Sequence, residues 1–219
     1  LPDLLVGILN TLLVAFIGCI VATVLGVFVG ILRLSKNWIV AKLMSVYIEG
    51  FRNIPILLWI VMIFALLTEF TPAPKAFRGA DPEASMIFFQ STAITNRGAY
   101  FPSPIWGEGS MYLLIIFAVS LVAIFFFRRY AKKLQEETGK NLPKFWISLA
   151  IFFLPTTLFY FLLGSPVTLE YPYLKGFNFK DGLYVRNSFI ALTLALSLYT
   201  SAFIGEIVRS GILAISKGQ

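Results

Sequence analysis

Residues 4–32 read LLVGILNTLLVAFIGCIVATVLGVFVGIL, 29 residues without a charge, closed by Asp3 on one side and Arg33 on the other. At about 1.5 Å of rise per residue, an α-helix of this length exceeds the roughly 30 Å hydrocarbon core of a bilayer. The run therefore predicts a membrane-crossing helix that tilts or protrudes. Within it, Gly18, Ala22, Gly26 and Gly30 recur at steps of four and so share one face. Small residues in register let a second backbone come close, which is how helices associate in lipid. The stripe predicts a tight contact, inside a bundle or across a dimer. Asn10 and Thr11 lie near the outer end of the same run as polar glue or a helix-start signal.

The rest of the chain follows suit. Of 219 residues 58% are hydrophobic and only 13% charged, and the mean hydropathy is +0.82. Soluble domains carry about 25% charged residues. Further long uncharged runs, without the alternation of a transmembrane barrel, give an all-α polytopic helical bundle. Five crossings are expected, over about 4–32, 47–68, 110–127, 145–163 and 187–207, within a single domain covering 1–219. An outer connection, 69–109, is polar and proline-rich, and a helical basic inner loop covers 128–144. Pro155 stands in the middle of the fourth crossing as an expected kink. The fifth carries Asn187, Ser188, Thr193, Ser197, Tyr199, Thr200 and Ser201, too many polar groups for a purely lipid-facing helix.

The net charge is +7, and the basic residues flank the apolar runs. They are topology signals rather than a nucleic-acid surface. The connections after the first, third and fifth crossings hold 12 of the 18 Lys and Arg residues. These dense basic segments are expected in the cytoplasm, which puts the end of the fifth crossing inside. Catalytic classes are thinly supported. The chain has no histidine and a single cysteine, Cys19, so neither a Ser/His/Asp set nor a Cys/His metal cluster can be assembled. Thr138-Gly139-Lys140 lacks the preceding glycine and the following Ser/Thr of a phosphate-binding loop. No nucleotide or metal site is expected on this chain.

Three stretches combine charge with membrane-end position. In SVYIEGFRNIPILLW, 45–59, Glu49 and Arg52 are spaced to pair on one helix face. Charges at membrane depth are functional candidates, and a snorkelling interfacial pair is the alternative. Pro55 either kinks the crossing or marks its first turn. The segment 33–53, which overlaps this first stretch, mixes Trp38, Ile39 and Leu43 with four cations, as in a helix lying at the interface. TNRGAYFPSP, 95–104, lies in the outer connection. SAFIGEIVRSGILAISKGQ, 201–219, sets Glu206 and Arg209 one turn apart and ends in a polar tail.

These three stretches resemble the permeases of ABC importers for polar or general L-amino acids. Tyr47, Glu49, Phe51, Arg52, Asn53, Pro55 and Leu57 match a Y-x-E-x-F-R-N-x-P-x-L pattern, although Trp59 stands where a glutamine is more usual. Residues 202–219 resemble the segment leading into the EAA loop, which docks into the ATPase subunit. The resemblance implies a MetI-like permease fold, in a chain incomplete at both ends and stopping at the start of that loop. It implies coupling to the ATPase through Glu206, Arg209, Gly211, Ser216, Lys217, Gly218 and Gln219. Translocation or gating candidates are Glu49, Arg52, Asn53, Pro55 and Tyr199. Implied partners are an ATP-binding cassette pair, a second permease chain and an extracytoplasmic amino-acid-binding protein, in the cell inner membrane. ATP would be used by the partner subunit while this chain works by alternating access. The reading of another class is an ion-coupled secondary transporter or channel with Glu49 at its ion site.

Overall fold

The computed structural model describes residues 2–78 and 83–215. Contacts divide the chain into two compact units, one made of Leu1–Phe101 with Pro172–Gln219 and the other of Pro102–Tyr171. The second is thus an insert between two halves of the first.

The larger unit is built on four helices: α1 (Pro2–Arg33), α2 (Trp38–Asn53), α3 (Ile56–Glu69) and α6 (Asn187–Ala214). Asn37 caps α2, its Oδ1 accepting from Ile39 N at 3.0 Å and Val40 N at 3.4 Å. This satisfies two donors that a helix start otherwise leaves unpaired. Pro55 ends α2. A proline disfavours helical geometry in the residue before it, and Ile54 is extended at φ −102°, ψ 131°. Pro55 itself opens α3. The two helices meet at 108°, so the stretch 47–68 divides between α2 and α3.

α6 is the centre of this unit and packs against α1, α2 and α3. It carries two buried stripes at steps of three or four, and each faces a different neighbour. Ala191, Ala195 and Leu198 meet the α3 face made by Trp59, Ile60, Ile63 and Leu67, while Ala202 meets Val29, Ile48 and the α2 residues around Ile48. Ser197, Ser201 and Gly205 turn toward α1. There Gly18, Ala22, Gly26 and Gly30 are all buried. A Cβ added at Gly26 would lie 2.6 Å from Ile204 Cβ and 2.9 Å from Ser201 O, and one at Gly30 would lie 2.7 Å from Gly205 O. Position numbers rise together along the seam, Gly18 beside Ser197 and Gly30 beside Gly205 and Val208, so α1 and α6 run parallel and finish at the same end.

The fold is not purely helical, which corrects the all-α expectation. Among the described residues seven short strands form in the connections: β1 (Ala93–Thr95), β2 (Gly98–Phe101), β3 (Ser103–Trp106), β4 (Val167–Glu170), β5 (Tyr173–Lys175), β6 (Asn178–Lys180) and β7 (Leu183–Arg186). Thr, Tyr, Val and Ile between glycine turns suit paired extended chain. β1, β2 and β7 make an antiparallel sheet in the larger unit, with Gly98 opposite Arg186 and Tyr100 opposite Tyr184. Gly98 has φ +151°, and a Cβ there would lie 2.6 Å from Val185 O, so only glycine fits. β7 runs directly into α6, and Asn187 Nδ2 donates to Thr95 O at 3.3 Å. TNRGAYF is therefore a hairpin pinned to the first residue of α6. Tyr100, buried among Ala93, Phe179 and Phe77, donates to Asn178 Oδ1 at 2.9 Å.

The insert is a helical hairpin, α4 (Ser110–Thr138) and α5 (Lys144–Leu162), with β3 paired to β4. Gly139, at φ 69°, closes α4 in the left-handed conformation that glycine adopts without steric penalty. α5 continues through Pro155. Among the described residues, α1, α4, α5 and α6 are each long and apolar enough to cross a membrane, and the bent α2–α3 pair makes a fifth if counted as one span.

Candidate functional site

α1 ends in Arg33, and the parallel seam brings that arginine beside the last turns of α6. Its guanidinium Nη1 donates to Glu206 Oε2, its Nε donates to Ser45 Oγ at 3.1 Å, and its Nη2 lies 3.8 Å from Glu49 Oε1. Glu206 also accepts from Arg209 Nη1 at 3.1 Å. Two carboxylates and two guanidiniums thus alternate, Glu49–Arg33–Glu206–Arg209, across three helices. The Arg33 side chain is 15% exposed, Glu206 26% and Glu49 66%. The inner three charges are partly desolvated, so their mutual attraction is less screened than at an open surface, and each must stay paired to avoid a desolvation penalty. A cation at the C-terminal end of α1 also complements the helix dipole.

Beneath the charges lies a polar contact. Tyr47 Oη is 2.7 Å from Ser201 Oγ and donates to Leu198 O at 3.0 Å, tying α2 to α6. Phe51 packs on Tyr47, with ring centroids 4.8 Å apart, and stacks on Trp59 at 4.1 Å. An aromatic column therefore bridges the break at Pro55. The Trp59 Nε1 donor at the end of this column is buried without a partner among the described residues.

Several residues picked out in the sequence lie apart from this cluster. Arg52 leaves Glu49 and sits over the Phe203 ring, 5.4 Å from its centroid. Asn53 is exposed at the end of α2, and Pro55 shapes the break. Tyr199 is half-buried against Phe203, with rings 5.0 Å apart. Gly211 is exposed, with no atom within 4 Å of an added Cβ. Ser216, Lys217, Gly218 and Gln219 lie outside the described residues. Gly18, Ala22, Gly26 and Gly30 carry no charge chemistry and instead set the approach that makes Arg33 and Glu206 meet. Sequence reasoning counted Arg33 only as the boundary of an apolar run and as one of the four cations of 33–53. No spacing along the chain marked it, because its partner Glu206 lies 173 positions away. At the opposite end of the same seam a groove of about 480 Å³ opens between α1 and α6, lined by Asn10, Thr11, Arg186 and Ser188. No group of three or more potential metal ligands occurs among the described residues.

This arrangement ties the ends of three helices together through paired charges. It offers no nucleophile with an adjacent base and no metal-binding set. Comparison with known proteins agrees with a transport role for its relatives. The chain is 46% identical over 212 residues to the glutamate/glutamine/aspartate/asparagine transport system permease protein of Rhodobacter capsulatus, covering 86% of this chain and 49% of that one. It is 41% identical over 216 residues to the general L-amino acid transport system permease protein of Rhizobium johnstonii, covering 99% and 52%. It is 39% identical over 216 residues to a putative amino-acid ABC transporter permease protein of Escherichia coli, covering 98% and 53%. The chain is a homologue of amino-acid ABC transporter permeases. It spans about half the length of the curated relatives it matches. No family model and no solved structure matches it. In this permease homologue the four-charge cluster stands where the central helix leaves its neighbours. The last turns of α6, from Ser210 to Ala214, are exposed.

Proposed function

We propose that this chain is the membrane-spanning part of an ATP-driven importer of amino acids in the cell inner membrane. It works by alternating access, and a separate ATPase subunit pair uses the ATP. The single observation that supports this best is 39–46% identity over most of the chain to three amino-acid permeases. On this reading the bundle takes the MetI-like permease fold. A second permease chain completes the path, and an extracytoplasmic binding protein delivers the substrate. Polar or general L-amino acids are the substrate class, by the names of the relatives. The end of α6 is the coupling edge, with Glu206, Arg209 and Gly211 on it and Ser216, Lys217, Gly218 and Gln219 continuing it.

The test is uptake of labelled glutamate and glutamine into vesicles carrying the full-length chain with its partner subunits. Uptake that requires ATP and survives collapse of the ion gradients is the expected result. Uptake that persists without ATP and falls with an ion gradient would replace this reading by the ion-coupled one. Charge reversal at Glu206 or at Arg209 is expected to leave ATP hydrolysis running while uptake falls; normal uptake in both reversals removes these residues from the coupling edge.

A further inference from the structure

We propose that Arg33 is a positioning residue that exchanges its carboxylate partner during transport, from Glu206 on α6 to Glu49 on α2. The inference rests on the importer reading above. It begins from the count of charges. As the structure stands, Arg33 holds Glu206 directly and Glu49 at 3.8 Å, while Glu206 also holds Arg209 at 3.1 Å. If the end of α6 swings away from α1, the cluster separates into Arg33–Glu49 and Arg209–Glu206. Every charge keeps one partner of opposite sign, so the step leaves no partly buried charge unpaired. A cluster of three could not do this, because whichever helix moved would carry off an orphan.

The packing sets where the swing can occur. The seam is closed as far as Gly30, Gly205 and Val208. Beyond Val208 and Arg209, α6 is exposed from Ser210 onward, and Gly211 has no neighbour within 4 Å of an added Cβ. The swing must therefore open the last closed contact, Gly30 against Gly205 and Val208, and carry Glu206 and Arg209 with the exposed turns from Ser210 to Ala214. Glu49 is the waiting seat. It is mostly exposed and sits on the helix whose Ser45 already orients the Arg33 Nε at 3.1 Å. Arg33 need only turn its fork, since its Nε stays on α2 throughout. Arg52, the other cation near Glu49 in sequence, is taken up over the Phe203 ring and leaves the seat free.

Glu49 separates this idea from a merely structural ion pair. Its contact in the present state is long and exposed, so Glu49→Gln is expected to leave the unfolding midpoint unchanged, as exposed pairs contribute little. It removes the second seat, however. In the full-length permease reconstituted with its partner subunits, Glu49→Gln should cut ATP-driven uptake about fivefold or more, the usual range of a coupling effect. Glu49→Asp should restore most of it. Spin labels at Lys36 and Ile212, both exposed, should report two distances in the wild type, with the longer one populated when the ATPases bind nucleotide. In Glu49→Gln only the shorter should remain. Wild-type uptake rates and both distances in Glu49→Gln would overturn the exchange. So would a single distance in every nucleotide state of a wild type that transports. A wild type without ATP-driven uptake would instead overturn the importer reading and the exchange with it.

Discussion

Two helix pairs in this molecule solve the same problem differently. Along the α1–α6 seam, glycine, alanine and serine face one another, and backbone approaches backbone closely enough that an added methyl at Gly30 would strike a carbonyl oxygen at 2.7 Å. In the α4–α5 hairpin the contact is made by large side chains, Phe117 against Phe152 with centroids 5.2 Å apart and Arg128 reaching Ser148 at 3.5 Å. Lipid chains are as apolar as leucine, so burying apolar area does not hold crossing helices together. Close van der Waals contact and polar pairing must do it. The seam uses shape and has no room for enlargement at Gly26 and Gly30, whereas the hairpin uses bulky groups that lipid can replace.

Enlarging the seam is expected to have the greatest effect. Gly30→Leu, or Gly26→Val, should destabilise the larger unit by about 3 kcal/mol or more, since a backbone oxygen cannot give way. Thermal unfolding in detergent reads this, and Gly7→Ala, on the same helix with no atom within 4 Å, serves as the control, expected to keep or slightly raise the midpoint. A stable Gly30→Leu would mean that the two helices separate easily and that the contrast with the hairpin is false. Next comes Tyr47→Phe, which removes the hydroxyl joining α2 to Leu198 and Ser201. The expected loss is about 1 kcal/mol, measured the same way.

In the hairpin, Phe152→Leu should cost only about 0.5 kcal/mol, because aromatic pairing is lost while apolar contact remains. A loss as large as that at Gly30 would show that the hairpin is as closely fitted as the seam.

Alkali should weaken the larger unit by a different route. Burial raises the Tyr100 phenol above its ordinary value, an effect reduced by the hydrogen bond to Asn178. A group whose folded pKa is raised contributes stability that is complete below its unfolded value and lost as pH climbs through the folded one. The β1–β2–β7 sheet should therefore weaken above pH about 10. Tyrosine absorbance together with near-ultraviolet dichroism would follow this, and Tyr100→Phe should remove that part of the pH dependence. The smallest effect is expected from Lys133→Ala, which breaks an exposed pair with Glu137 at 3.6 Å on α4. The change in unfolding midpoint should correspond to less than about 0.5 kcal/mol.

Much of this was legible in the chain itself. Uncharged length gave the long apolar helices, because one backbone in lipid must satisfy its own hydrogen bonds and can do so only as a helix. Pro55 gave the break through a restriction on its own neighbour, and four small residues at steps of four gave a contact face. The strands were hidden because each is only three or four residues long, and some pairings, such as Gly98 with Arg186, join segments far apart in the chain. The charge cluster was half hidden for a related reason. Spacing along one helix suggested Glu49 with Arg52 and Glu206 with Arg209, and only the second pair forms.

What the sequence determined alone was local: which segments are helical, where they stop and which faces are narrow. Which face meets which was decided only in three dimensions. Once the glycine stripe of α1 closes on Ser197, Ser201 and Gly205, the two parallel helices must finish together. Arg33 is then carried to a carboxylate 173 positions away, a partner chosen by distance in space, on which Coulomb attraction depends, and invisible to any periodicity along the chain.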